Sequence, residues 1–391
     1  MKSSVHSSGS WNLLTLSLAL LFALPFFSLI VTAGSGGENV WGHLLSTVMP
    51  GYLKNTFWLM LGVGSGTLLL GVSTGWLISM TEFPGRRMME WALLLPLAFP
   101  GYIIAMVYVE LLEFSGPVQE QLRLWFGWQN YMDYWFPPIA SLGGAITMLT
   151  LVLFPYVYLL ARTAFLQQSA TLMEASRMLD KSAGNSFFMI ALPLARPAIV
   201  VGVSLAMMET LADFGTMQLF AVQTFTTGIY HTWFGAYNAP GAAQLSLSLL
   251  TFISFFIFLE RYSRKQQRFH AQSSIKNAHT RYPLSGIRAV LALLFCIFPV
   301  LFGFALPAGL LIQWATESWR GVMLDRFFND AGNSILLAGV TALLGVFIGL
   351  LMAFGSRLSK RRRIHWAARL VSLGYTFPGP VVALGVLLPF A

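Results

Sequence analysis

Apolar residues run along this chain in long unbroken blocks, and polar residues gather between the blocks. A block of about 20 residues suits a helix that crosses the hydrocarbon core of a bilayer. Nine segments qualify: 11–33, 56–80, 91–112, 139–160, 198–220, 242–259, 289–314, 334–355 and 369–390. The 242–259 block is the shortest, and 198–220 contains two acids. The first block, from Trp11 to Ala33, is longer than the ~7–15 residues of a signal-peptide core. It reads as a retained span. The predicted fold class is all-α, a polytopic membrane protein of about nine transmembrane helices.

Composition supports a lipid setting. Of 391 residues, 56% are hydrophobic and 10% charged, whereas a soluble domain carries roughly 25% charged residues. The single cysteine, Cys296, leaves no intrachain disulfide and excludes cysteine-rich metal patterns. A net charge of +9 raises the question of nucleic acid. With the N-terminus inside and alternating spans, 20 of the 24 Lys and Arg residues fall on the inner side. The outer side holds Lys54, Arg123, Arg320 and Arg326. Basic residues collect in cytoplasmic loops, so the N-terminus is expected in the cytoplasm. The charge is a topology signal, and no nucleic-acid partner is expected. The basic stretch 261–288 lacks apolar periodicity and reads as a solvated linker.

The chain nearly repeats itself. "FALP" at 22–25 returns at 304–307, and "FPG" at 99–101 returns at 377–379. Asn55 corresponds to Asn333 and Gly71 to Gly349. The basic loops Arg86–Arg87 and Lys360–Arg363 match in position. Residues 1–260 therefore form a first module of six spans, 261–288 a cytoplasmic linker, and 289–391 a second module with three. By the repeat, the second module is truncated: three further spans and a second cytoplasmic segment are expected beyond Ala391. Both copies start from the cytoplasm, so the repeats are parallel.

Enzyme signatures fail. No Gly-x4-Gly-Lys-Ser/Thr phosphate loop and no His-Glu-x-x-His pair occur. "GVSTG" at 71–75 has nucleophile-elbow spacing, but that motif needs a strand–turn–helix setting. Inside a span, its small residues point to close helix packing. "GVGSG" at 62–66 reads the same way.

One polar segment stands out, "MEASRMLDKSAGNSFFMIALPLARP" at 173–197. Thr171 and Glu174 have capping-box spacing, so a short helix is predicted after Thr171. Leu172, Ala175 and Leu179 share its face. A turn follows at Asp180–Gly184, then a second short helix from Ser186 to Ala191, with Pro193 disfavouring helix at Leu192. An amphipathic loop resting on lipid headgroups explains these features equally well.

The segment resembles the cytoplasmic coupling motif of permease subunits of bacterial ABC importers, Glu-Ala-Ala-x3-Gly-x9-Ile-x-Leu-Pro. Glu174, Ala175, Ile190, Leu192 and Pro193 fall at the matching positions. Ser176 replaces the second Ala, and Asp180 replaces the Gly. The stretch 208–234, "METLADFGTMQLFAVQTFTTGIYHTWF", is similar to double-length permeases of ferric-iron importers. The resemblance implies a type I importer permease fold, with Glu174, Ala175, Ser176, Asp180, Ile190, Leu192 and Pro193 as ATPase-coupling residues. It implies cytoplasmic ABC ATPase subunits as partners, ATP bound on those subunits, and a periplasmic binding protein delivering substrate across the bacterial inner membrane. No cofactor is expected on this chain.

Glu209 and Asp213 are four apart and are expected on one helical face within the 198–220 span. Acids at membrane depth usually face a cavity or a partner. A negative pathway lining suits a cation, and a structural pair is equally open. No third ligand is evident nearby, so no metal site is expected. Thiamine is the nearest rival substrate. The rival from another class is an ion-coupled secondary transporter using Glu209 and Asp213.

Overall fold

The computed structural model describes residues 4–35, 40–168, 183–264, 281–319, 324–359, 361–372, 374 and 377–390. The first half comprises α1 (Ser4–Gly34), α2 (Val40–Ser46), α3 (Met49–Met80), α4 (Arg86–Ala92), α5 (Gly101–Leu112), α6 (Pro117–Phe126) and α7 (Leu142–Leu166). It continues with α8 (Leu192–Ala212), α9 (Gly215–Leu219), α10 (Phe225–Tyr230) and α11 (Ala239–Arg264). The second half comprises α12 (Ile287–Val300), α13 (Leu306–Ser318), α14 (Leu324–Leu358), α15 (Arg362–Ser372) and α16 (Gly379–Leu387). Two short strands, β1 (Thr81–Glu82) and β2 (Tyr282–Pro283), pair in parallel. The protein is an all-α polytopic membrane protein. Among the described residues, seven helical stretches are long and apolar enough to cross a membrane, and two shorter ones, Ala239–Phe255 and Gly379–Phe390, complete the nine predicted blocks.

The seam between α3 and α7 is the centre of the first half. In lipid there is little hydrophobic drive between helices, so association depends on close van der Waals contact. Four glycines of α3 supply that closeness. A Cβ on Gly62 would stand 2.6 Å from Ile146, one on Gly66 2.6 Å from Thr150, and one on Gly71 2.6 Å from Val157. One on Gly75 would stand 3.2 Å from the Arg162 backbone nitrogen. The glycine runs are packing surfaces, as their place in a span predicts. α1 instead lies against α11 and the second-half helices α14, α15 and α16. Trp11 meets Phe354 with ring centroids 5.7 Å apart, and Phe26 meets Phe377 at 4.8 Å.

Two predicted spans are broken, and the break is the same in both. The 91–112 block divides into α4, a 3-10 turn at Leu95–Ala98, and α5. The 369–390 block divides into α15 and α16. Proline pushes the preceding residue away from the helical region, and Phe99 is extended at ψ 132°. Pro100 stands at the cap of α5 with φ −58° and ψ 142°, and Pro378 at the cap of α16 with φ −58° and ψ 138°. The repeated "FPG" thus makes the same turn twice. The glycine repeat has unequal surroundings: Gly71 is tightly packed, whereas a Cβ on Gly349 would meet nothing within 4 Å.

Prolines have a different effect elsewhere. The predicted short helix ending at Ala191 is not what forms. A four-residue helix, Ala183–Ser186, runs into a π-turn at Phe187–Ala191 and then directly into α8, which contains Pro193 and Pro197. A proline ring clashes with the carbonyl four residues back and offers no N–H. Widening the preceding turn relieves both problems: the Leu192 N–H reaches Phe187 O, five residues back. The same solution appears at Leu306–Pro307, where a π-turn at Leu301–Ala305 precedes α13. There the Leu306 N–H takes Leu301 O, and Pro307 has none to give, so Phe302 O lacks a helical donor. The Tyr108 hydroxyl of α5 fills that vacancy, donating to Phe302 O at 2.6 Å.

The predicted linker is partly structured. Residues 265–280 lie outside the described set, while 261–264 continue α11. Residues 281–284 dock on the end of α3, where Thr81 pairs with Tyr282 and the Leu284 N–H donates to Glu82 O at 2.9 Å.

Candidate functional site

A cavity of about 290 Å³ opens where three walls meet. One wall is the turn Leu97–Gly101. The second is α7, through Leu149, Val152, Leu153 and Tyr156, and the third is the end of α8, through Glu209 and Asp213. Both acids line this one cavity. α8 ends at Ala212, yet Asp213 keeps a helical φ of −70° and its N–H bonds Glu209 O at 3.0 Å, so the two acids share the face that their four-residue spacing predicts. The chain leaves the helix only beyond that point, at the Asp213 ψ of 114°. The predicted 198–220 span instead covers 184–212, with α9 beyond it.

Asp213 is pinned in place. Its carboxylate accepts from the Thr216 N–H at 2.7 Å and from the Thr216 hydroxyl at 2.9 Å, which starts α9. Its carbonyl accepts from the Thr226 hydroxyl at 3.2 Å. Gly101 lies against it, so that a Cβ there would stand 3.0 Å from Asp213 Oδ2. Only a glycine lets the start of α5 approach the carboxylate this closely. The arrangement presents hard oxygen atoms to a half-closed space, a chemistry that attracts cations and repels oxyanions.

At the other end of the bundle is a charge cluster that sequence reasoning missed. Arg86 is almost buried. It pairs with Glu82 at 3.2 Å and Glu90 at 3.4 Å, and donates to Ile78 O at 3.0 Å. Arg162, in the last turn of α7, pairs with the other oxygen of Glu90. The Tyr158 hydroxyl donates to the Glu90 carbonyl at 2.9 Å. Arg281 reaches Glu82 at 3.4 Å and Ser79 O at 3.3 Å. The i, i+4 spacing of Glu82, Arg86 and Glu90 was a readable signal; the partnership with Arg162 was not.

The predicted coupling segment, 171–197, is described from Ala183 onward. Glu174, Ala175, Ser176 and Asp180 fall outside the described residues. Ile190 sits in the π-turn, half-buried, and Leu192 and Pro193 open α8. Leu192 and Phe187 pack on a core formed by Val72, Val157, Ala161 and Phe165. The Gln168 side chain donates to Ala191 O at 2.8 Å, closing the chain on itself across the segment.

The model of one protein family, the binding-protein-dependent transport system inner membrane component, matches residues 67–268, a little over half of the chain. The chain belongs to this family. It is the inner-membrane permease of an ABC importer, a multi-pass protein. The permease is 27% identical over 380 residues to the Fe(3+)-transport system permease protein FbpB 2 of Haemophilus influenzae, covering 96% of this chain and 70% of that one. It is 29% identical over 210 residues to the molybdenum transport system permease protein ModB of Escherichia coli K12, covering 51% and 88%. It is 23% identical over 316 residues to the ferric transport system permease protein FbpB of Actinobacillus pleuropneumoniae, covering 76% of the permease and 45% of that relative. These relatives are transport subunits, not enzymes.

Proposed function

We propose that the permease carries ferric iron from a periplasmic binding protein into the cytoplasm, driven by a separate ATPase that engages residues 171–197. The observation that carries the cargo reading is the cavity lined by Glu209 and Asp213. Two carboxylates in a low-dielectric space favour a cation and oppose molybdate or sulfate, whose charge has the same sign. The iron-transport relative also aligns along almost the whole chain, whereas the molybdenum-transport relative aligns along half. Fe³⁺ prefers hard oxygen ligands, and the cavity offers two carboxylates beside the Tyr156 phenol.

The same reading assigns the first module to 1–260 and a second module to 289–391. The matched turns at Pro100 and Pro378 support it. A cytoplasmic N-terminus is supported by the gathering of Arg86, Arg162 and Arg281 at one end of the bundle. The test is uptake of radiolabelled iron and of radiolabelled molybdate by the full-length gene product with its ATPase and binding protein. Asn at both 209 and 213 is expected to reduce iron uptake while the ATPase still assembles. Wild-type iron uptake by that variant, or molybdate uptake in place of iron, would overturn the cargo reading.

A further inference from the structure

Two walls of the cavity continue directly into the coupling segment. α7 runs from the cavity to that segment's upstream end, and α8 returns from its downstream end to Glu209. The third wall, Leu97–Gly101, has no such chain connection. It packs on α7 and against Asp213, and toward the coupling end of the bundle it continues into α4. From Glu90 onward the path is stiff: Leu93 N–H bonds Met89 O at 3.1 Å, Leu94 N–H bonds Trp91 O at 3.0 Å, and Leu97 N–H bonds Leu94 O at 3.1 Å.

Met89 and Leu93 pack with Phe154 and Tyr158 of α7, and the polar links from α4 to the end of α7 converge on one residue. Glu90 accepts Arg162 through its carboxylate and Tyr158 through its backbone carbonyl. Arg86, itself nearly buried, holds the other carboxylate oxygen at 3.4 Å. Glu90 therefore cannot turn away from Arg162 without abandoning Arg86. Arg162 lies one turn before the end of α7, close to where the coupling segment begins.

We propose that the Glu90–Arg162 pair carries displacement of the coupling segment to the Leu97–Gly101 wall, so that all three walls of the cavity move together. The two residues are positioning residues; neither touches the cargo. The proposal rests on the reading of this chain as an ATP-driven importer subunit. Without the pair, ATP hydrolysis would still move α7 and α8, but apolar packing alone would tie the third wall to them, and the cavity would change access less often per cycle.

The experiment uses the full chain reconstituted in proteoliposomes with its ATPase and its iron-loaded binding protein. Imported radiolabelled iron is measured per ATP hydrolysed for Glu90→Gln, Arg162→Gln, the double variant and Arg162→Lys. Each single Gln variant is expected to lose about threefold to thirtyfold in that ratio. The double variant is expected to match the singles, because both remove one shared interaction. Arg162→Lys keeps the charge and is expected to retain most of the ratio. A double variant with the wild-type ratio overturns the proposal. If the Gln variants fail to reach the membrane, Tyr158→Phe removes one hydroxyl from the same junction, and an unchanged ratio there also overturns it. A wild-type complex that hydrolyses ATP without importing iron overturns the cargo reading instead. Stimulation of ATP hydrolysis by the binding protein, compared across the same variants, then decides the coupling question without reference to cargo.

Discussion

Gly71→Ala adds one methyl group to the α3–α7 seam at a point where the backbone of α7 opposes it. The new Cβ would lie 2.6 Å from Val157 Cβ, 2.8 Å from the Tyr158 backbone nitrogen and 2.9 Å from Phe154 O. Non-bonded carbons rest about 3.5–4.0 Å apart, so the helices must separate locally by about 1 Å. No rotamer change relieves this, because the opposing atoms are backbone or attached directly to it. Overpacking costs about 1–3 kcal/mol, and rigid opposing atoms place this site at the upper end. Separation would also weaken the neighbouring contacts of Gly66 and Gly75. The repeat provides a matched control: Gly349→Ala adds the same methyl group where nothing lies within 4 Å. Alanine is the better helix former, so that change is expected to be neutral or slightly stabilising. Thermal unfolding of the purified protein in detergent should show Gly71→Ala melting several degrees lower, with Gly349→Ala unchanged. Equal melting of the two variants would refute close helix approach as the source of stability at this seam.

Three further outcomes follow from other parts of the molecule. Tyr108→Phe leaves Phe302 O without a donor in the membrane, and is expected to cost about 1–3 kcal/mol, read as a lower unfolding temperature; no change would mean that water or lipid supplies the bond. Asp133 accepts N–H bonds from Asn130 and Gln129, which hold its carboxyl below the usual aspartate range. Its contribution to the loop between α6 and α7 is present above the unfolded value and lost as pH falls through the depressed folded one; carboxyl chemical shifts report the titration, and an ordinary value would deny the turn. Glu174→Lys is expected to leave ATP hydrolysis by the assembled complex while reducing uptake, and full uptake by an inserted variant would remove Glu174 from coupling.

Hydrophobic blocks made the apolar helices legible, because lipid requires about 20 apolar residues in each crossing. The glycine runs of α3 were legible for the same reason: small residues in a span have few other uses. What the pattern concealed was where helices break. Apolar character continues straight through Phe99 and Phe377, so the block boundaries missed turns that only backbone geometry reveals. Pro193 misled in the opposite direction, since a proline stops a helix only when the preceding turn cannot widen. Glu209 and Asp213 share the face their spacing predicts, but nothing in the pattern marked the end of the helix at Asp213. The pair Glu90–Arg162 is 72 residues apart in the chain, and nothing local to either residue announces the other.

The π-turn before α8 has a consequence for the acids at its far end. Each residue advances an α-helix by about 100°. A turn that holds one extra residue therefore rotates everything downstream by about that angle relative to an uninterrupted helix. Pro193 thus sets the phase of α8. Were the turn to tighten to ordinary spacing, as a substitution at Pro193 would permit, Glu209 would swing about a quarter of the way around the axis. The charge would then leave the cavity for a neighbouring helix face. A proline at the start of the helix in this way fixes the direction of a carboxylate about four turns further along it.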